Sequence, residues 1–63
     1  MYFFCLVETR SCHVPHLECL PVDTLDEARV HARRALNQHL MPIAAHIYAD
    51  DERVDMVEPG APV

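Results

Sequence analysis

Thr24-Leu25-Asp26-Glu27-Ala28-Arg29-Val30-His31-Ala32-Arg33-Arg34-Ala35-Leu36 is the stretch on which the fold turns. Thr24 followed by Glu27 is a capping box: the threonine hydroxyl takes the third helical N–H, and the glutamate reaches back to the orphan donors before it. Asp26 and Glu27 also suit the positive end of the helix dipole. Beyond the cap, Leu25, Ala28, Ala32, Ala35, Leu36 and Leu40 recur at helical spacing and form one apolar stripe. Half of that stripe is alanine, so the helix can lie close to a sheet. The opposite side carries Arg29, Arg33, Arg34, Asn37 and Gln38. Pro42 disfavours helical geometry in the residue before it and ends the helix at about Leu40 or Met41.

Working outward towards the N-terminus, Tyr2 to Glu8 is aromatic and apolar on both faces, with Phe3, Cys5 and Val7 on one and Tyr2, Phe4 and Leu6 on the other. A strand of that kind belongs in the middle of a sheet. Thr9 to His13 reads as a hairpin connection, and a second strand runs from about Val14 to Val22. If Glu8 pairs with Val14, Cys5 faces Leu17 and Phe3 faces Cys19, which matches apolar residues on one face. Pro15 and Pro21 cannot donate to a ladder and place this strand at an edge. On the other side of the helix, Ile43 to Ala49 is a third strand. Asp50-Asp51-Glu52 is a turn, and Arg53 to Glu58 is a fourth, more charged strand.

The order is ββαββ. Chain reversal at each step predicts an α+β fold: a four-stranded antiparallel sheet in the order 2-1-3-4 with one helix on one face. Residues 1–58 form the single domain, and 59–63 a frayed tail. One helix covers one sheet face only, so Tyr2, Phe4, Leu6, Leu20 and Val22 cannot all be hidden. An exposed patch of that kind marks an interface.

A chain of 63 residues is one domain at most, and 51% hydrophobic content suffices for a core. The formal charge is −5, with ten acidic residues against five arginines and no lysine. Such a domain is repelled by nucleic acid phosphates and attracted to basic protein surfaces. The apolar start lacks the pattern of a signal peptide and the length of a membrane span. The cytoplasm is the expected compartment, with the three cysteines reduced.

Cys12, His13, His16 and Cys19 hold zinc-type donors, but without the spacing of the usual zinc motifs, and in strands Cys12, His16 and Cys19 do not converge. No metal and no cofactor is expected. Cys12 beside His13 is the one candidate nucleophile and base, with no oxyanion site nearby, so no catalysis is expected. His31 and His39 lie eight residues apart on the helix and read as exposed or partly buried imidazoles. The acids are more informative. Asp50, Asp51, Glu52, Asp55 and Glu58 fall within nine residues, and Asp23, Asp26 and Glu27 form a second group. Alternate residues of a strand lie about 6.6 Å apart, similar to successive phosphates on one nucleic acid strand. Carboxylates in such a row can imitate a phosphate backbone.

Two resemblances follow from these residues. Asp23-Thr24-Leu25-Asp26-Glu27-Ala28 looks like the strand-to-helix junction of HicB-type antitoxins, and Pro15-His16-Leu17-Glu18-Cys19 is similar to the segment before it in that family. This implies a dimerising interaction module, or the subunit of a larger complex. At class level, an acidic domain of this size without a catalytic constellation resembles the small phage and mobile-element inhibitors called anti-CRISPR proteins. Many of those bind Cas subunits and block nucleic acid entry, some by imitating the charge of DNA. This implies a non-catalytic inhibitor, a monomer or weak homodimer, acting in a host cytoplasm. Its partner is a protein with a basic nucleic-acid-binding surface, a Cas subunit for example, with no direct contact to nucleic acid or membrane. Asp50, Asp51, Glu52, Asp55 and Glu58 would make the charge contacts, with Tyr48 as an aromatic anchor.

Overall fold

A computed structural model describes residues 2–59. The elements run β1 (Phe3–Thr9), β2 (Cys12–Leu20), α1 (Leu25–Asn37), β3 (Pro42–Ala49) and β4 (Glu52–Val57). The four strands form one antiparallel sheet in the order β2-β1-β3-β4, and α1 packs across one face. The doubly apolar β1 is an inner strand and the proline-bearing β2 an edge, as the residue types require. The expected tail, beyond Pro59, lies outside the described residues. Among the described residues, no helix is long and apolar enough to cross a membrane.

The core forms where α1 meets the two inner strands. Phe3, Cys5 and Val7 of β1 lie level with Ala49, Ile47 and Ala45 of β3. Ala28, Ala32, Ala35 and Leu36 come down onto them, and Leu20 and Val57 close the two sides. Cys5, Ala28, Ala32, Leu36, Ala45 and Ile47 are fully buried. Burial pushes the Cys5 thiol up to about 11, with the neighbouring Glu18 charge acting in the same direction. It is therefore a neutral packing group.

The helix starts as its sequence dictates. Thr24 is extended, at φ −128° and ψ 158°, and its Oγ1 accepts the Glu27 N–H at 3.3 Å. Glu27 Oε1 accepts the Asp23 N–H at 3.4 Å and the Thr24 hydroxyl at 3.2 Å, so the box closes one residue early.

Its end differs from expectation. α1 stops at Asn37, three to four residues short of the boundary that Pro42 suggests. The Gln38 and His39 N–H groups donate to Ala35 and Leu36 carbonyls at 3.2 Å each, tightening the last turn. Met41 then turns the chain into β3 with φ 52°, a conformation that disfavours a side chain by about 1–2 kcal/mol. The β1–β2 turn braces it. The Arg10 N–H donates to the Met41 carbonyl at 2.9 Å, and the Ser11 hydroxyl to the Leu40 carbonyl at 3.4 Å. Leu40 thus falls outside the apolar stripe and is 79% exposed.

The β1–β2 register is the second correction. Phe3 lies opposite Leu20, Cys5 opposite Glu18 and Val7 opposite His16, one residue from the expected pairing of Phe3 with Cys19 and Cys5 with Leu17. A slip of one reverses the face of every β2 side chain. Leu20 joins the core and Val22 packs against it, whereas Leu17 and Cys19 move to the open face. The cause lies near the turn. The connection is only Arg10-Ser11, with Thr9 opposite Cys12, and the register shifts between Val7 and Thr9 beside Pro15, which has no N–H to offer.

The alanine stripe sets the distance between helix and sheet, so Ala32→Leu is expected to lower stability by about 1–3 kcal/mol in urea unfolding, with Val30→Leu on the exposed side within about 0.5 kcal/mol. In native alkylation, Cys12 and Cys19 should react and Cys5 only after denaturation, as read by mass spectrometry.

Candidate functional site

The topology brings the two acidic groups to one end of the molecule. β1 begins at that end, β2 and β3 finish there, and α1 and β4 start there. Asp23, Asp26 and Glu27 at the helix start therefore share a pole with Asp50, Asp51 and Glu52 of the β3–β4 turn. These are six of the chain's ten acidic residues. Glu58 is exposed beyond the far end of β4, away from this pole.

The acids differ in how free they are. Asp50 is part of the frame: it has φ 57°, its N–H donates to the Tyr2 carbonyl at 2.7 Å, and its Oδ1 accepts the Tyr2 N–H at 3.2 Å. Asp51 and Glu52 are exposed. Asp55 is held by the helix. Arg29 Nε donates to Asp55 Oδ2, while Arg29 Nη1 donates to Asp26 Oδ1 at 3.0 Å. The Arg29 hydrogen bond, helped by the Met56 N–H, holds the Asp55 carboxyl below its ordinary value, and the same contact raises Arg29. A register shift between Ile47 and Tyr48, at Val54, turns Asp55 to the helix side together with Glu52. With Asp50 bound to Tyr2 and Asp55 bound to Arg29, the carboxylates of this hairpin make no free row. What forms instead is a cluster at the pole, with Asp55 neutralised beside it.

The open sheet face adjoins this pole. Tyr48 stacks on Phe4 with ring centroids 5.0 Å apart and 3° between planes, and Tyr2 lies 5.8 Å from Phe4. The Tyr2 hydroxyl and Cys19 Sγ are 3.0 Å apart, a hydrogen bond that raises the Tyr2 phenol above its ordinary value. Tyr2 is 52% and Leu17 58% exposed. From Arg53, level with Tyr48, to His46 and Glu8 further along, the same face also carries polar groups. His46 Nε2 lies 3.0 Å from Glu8 Oε1, and Arg53 Nη1 is 3.3 Å from His46 Nδ1. An arginine can only donate, so Nδ1 accepts and Nε2 carries the proton. The aromatic half of the open face is therefore the half nearest the acids. A shallow depression lined by Tyr2, Cys19, Leu20, Pro21, Val22 and Asp23 joins the two.

The zinc-type donors do not gather as a Cys-His-Cys set. Cys19 points to the open face and bonds Tyr2, while His16 lies level with Val7 on the helix side. Cys12 and His13 are consecutive strand residues, whose side chains leave the strand in opposite directions. Sequence reasoning missed the Tyr2–Phe4–Tyr48 cluster as a unit, because it depends on β3 lying in register beside β1. It also missed a contact between the β2 edge and the residues after α1, where His16 and His39 meet with ring centroids 5.0 Å apart. No protein-family model, no curated protein and no solved structure matches the chain.

The sign of the Asp55 shift sets a pH dependence. Its folded-state proton affinity is below that of the unfolded chain, so the Arg29 clamp contributes fully above the ordinary carboxylate range. That contribution is lost as pH falls through the folded value. Asp55→Asn is expected to flatten the decline in stability on acidification, in urea titrations run at a series of pH values below 5, the start of the range over which a depressed aspartate is titrated.

Proposed function

We propose that this protein is a non-catalytic inhibitor that occupies a basic, nucleic-acid-binding surface of a partner protein in the cytoplasm. The observation that carries this reading is the meeting of six acids with the Tyr2–Phe4–Tyr48 cluster at one end of the fold. The acidic pole steers encounter with a surface rich in arginine and lysine and competes there with phosphate. The aromatic half-face supplies the desolvated contact area that charge alone lacks, since tyrosines are enriched among residues that dominate binding energy. Asp51, Glu52 and Asp23 make the charge contacts, with Tyr48 and Tyr2 as anchors. Asp55 acts indirectly, by fixing Arg29 and so keeping that cation from the partner. A Cas subunit, the partner implied by the anti-CRISPR resemblance, fits this description.

A second reading has its own support. Tyr2, Leu17 and Met56 are exposed on the uncovered sheet face, and a second copy laid on that face would bury them. This is the dimerising module that the HicB resemblance implies.

The two readings separate by salt and mass. For the inhibitor, proteins retained by the immobilised chain should release on added salt or competing nucleic acid. Asp51→Lys with Glu52→Lys should weaken that complex at least about tenfold, given that like charges across an interface cost several kcal/mol. Retention that ignores salt, nucleic acid and charge reversal alike sinks the reading. For the dimer, a mass of two chains at tens of micromolar is expected, a level at which specific interfaces persist. Tyr48→Ala should then return it to one.

A further inference from the structure

The outer half of β2 poses a question that the proposed binding surface leaves open. From Cys12 to Leu17 every residue of this edge strand is exposed, although the strand flanks the core. α1 packs mainly on β3, so the helix leaves this margin of the sheet uncovered. On that margin His16 and Glu18 are two residues apart on one strand, both turned to the helix side by the observed register, where they lie level with Val7 and Cys5. His39 arrives from the other direction. Early termination of α1 at Asn37 and the tight turn through Gln38 and His39 bring its ring over the strand. The His16 and His39 rings are 5.0 Å apart at 54°, and His16 Nε2 is 3.6 Å from Glu18 Oε1. One donor atom from each of the three residues lies within 4.8 Å of the other two.

We propose that His16, Glu18 and His39 form a binding site for a divalent transition metal, zinc in the first place. Two imidazoles and a carboxylate are a zinc donor set that leaves one position open. Donors on a tetrahedral zinc stand about 3.4 Å apart, given metal–ligand bonds of about 2.0–2.2 Å. The His16–Glu18 pair already meets that spacing. The other separations close by small side-chain rotations, which exposed or half-buried residues make freely. The carboxylate offsets the metal's charge, and the fourth position takes water. Two ligands come from β2 and one from the residues just after α1, so the ion ties the uncovered edge strand to the segment after the helix. That is the kind of cross-link on which chains of this size often rely.

Cys12 and Cys19 are exposed and are stronger zinc donors, so the test removes them. Calorimetric titration of ZnCl2 into the full chain carrying Cys12→Ser and Cys19→Ser should show one site per chain. His16→Ala and His39→Ala in that background should each raise Kd at least about tenfold, since even changes behind the ligands cost tenfold or more. His31→Ala should leave Kd unchanged. Zinc should also raise the melting temperature of the parent and not that of His16→Ala, which checks the site independently of heat signals. CoCl2 added to the double-serine chain should give visible bands, and His16→Ala in that background should abolish them. Absence of zinc binding in the double-serine chain, indifference to His16→Ala or His39→Ala, or cobalt bands that persist in His16→Ala each overturns the proposal.

Discussion

The close approach of α1 to the two inner strands is the constraint on which the rest depends. Ala28, Ala32 and Ala35 present no side chain beyond a methyl, so the backbone of the helix comes down onto Phe3, Cys5 and Val7 of β1 and Ala45 and Ile47 of β3. From the helix, Leu36 is the large side chain fully buried in the seam. A short chain has little apolar area with which to offset the entropy of ordering. Close packing of small residues gains contact without demanding more sequence. A single helix of 13 residues laid along two strands cannot also cover the sheet margins, so the uncovered edge strand and the uncovered lower face follow from that packing. Both candidate sites are built on what the helix leaves bare.

How far the fold was legible follows from where the deciding signals sit. The capping box at Thr24 and Glu27 fixes the helix start locally, and the doubly apolar Phe3–Val7 run can only be an inner strand. The strand order then follows from chain reversal. The helix end was not legible, because no glycine marks it. Met41 adopts the left-handed turn that glycine normally takes, and it does so because Arg10 and Ser11 hold the carbonyls around it. The β1–β2 register was missed by one residue because it rests on a two-residue turn and an irregularity beside Pro15, neither of which has a periodic signature. The shift at Val54 is the same kind of event, and it moves Asp55 to the helix side.

For the binding surfaces, composition announced the acids but not their arrangement. Two groups more than twenty residues apart in sequence share a pole because every strand-to-helix and strand-to-strand junction on that side falls at the same end. Within the pole, the structure sorts carboxylates by task. Asp50 holds the turn to β1, Glu27 holds the helix cap and Asp55 holds Arg29. Asp23, Asp51 and Glu52 remain to face outward. A count of acids therefore overstates the charge a partner meets at close range, although the whole field still steers at distance.

The register correction links the two ends of the molecule. Had Phe3 paired with Cys19, Glu18 and His16 would face the open side, next to the aromatic cluster, and His39 would have no carboxylate within reach. The observed pairing instead sends Cys19 to Tyr2, where it orients the phenol at the aromatic end, and sends His16 and Glu18 to the helix side beneath His39. One irregularity beside Pro15 thus decides which residues each face offers. The acidic-aromatic end and the imidazole-carboxylate margin consequently lie on opposite faces of β2.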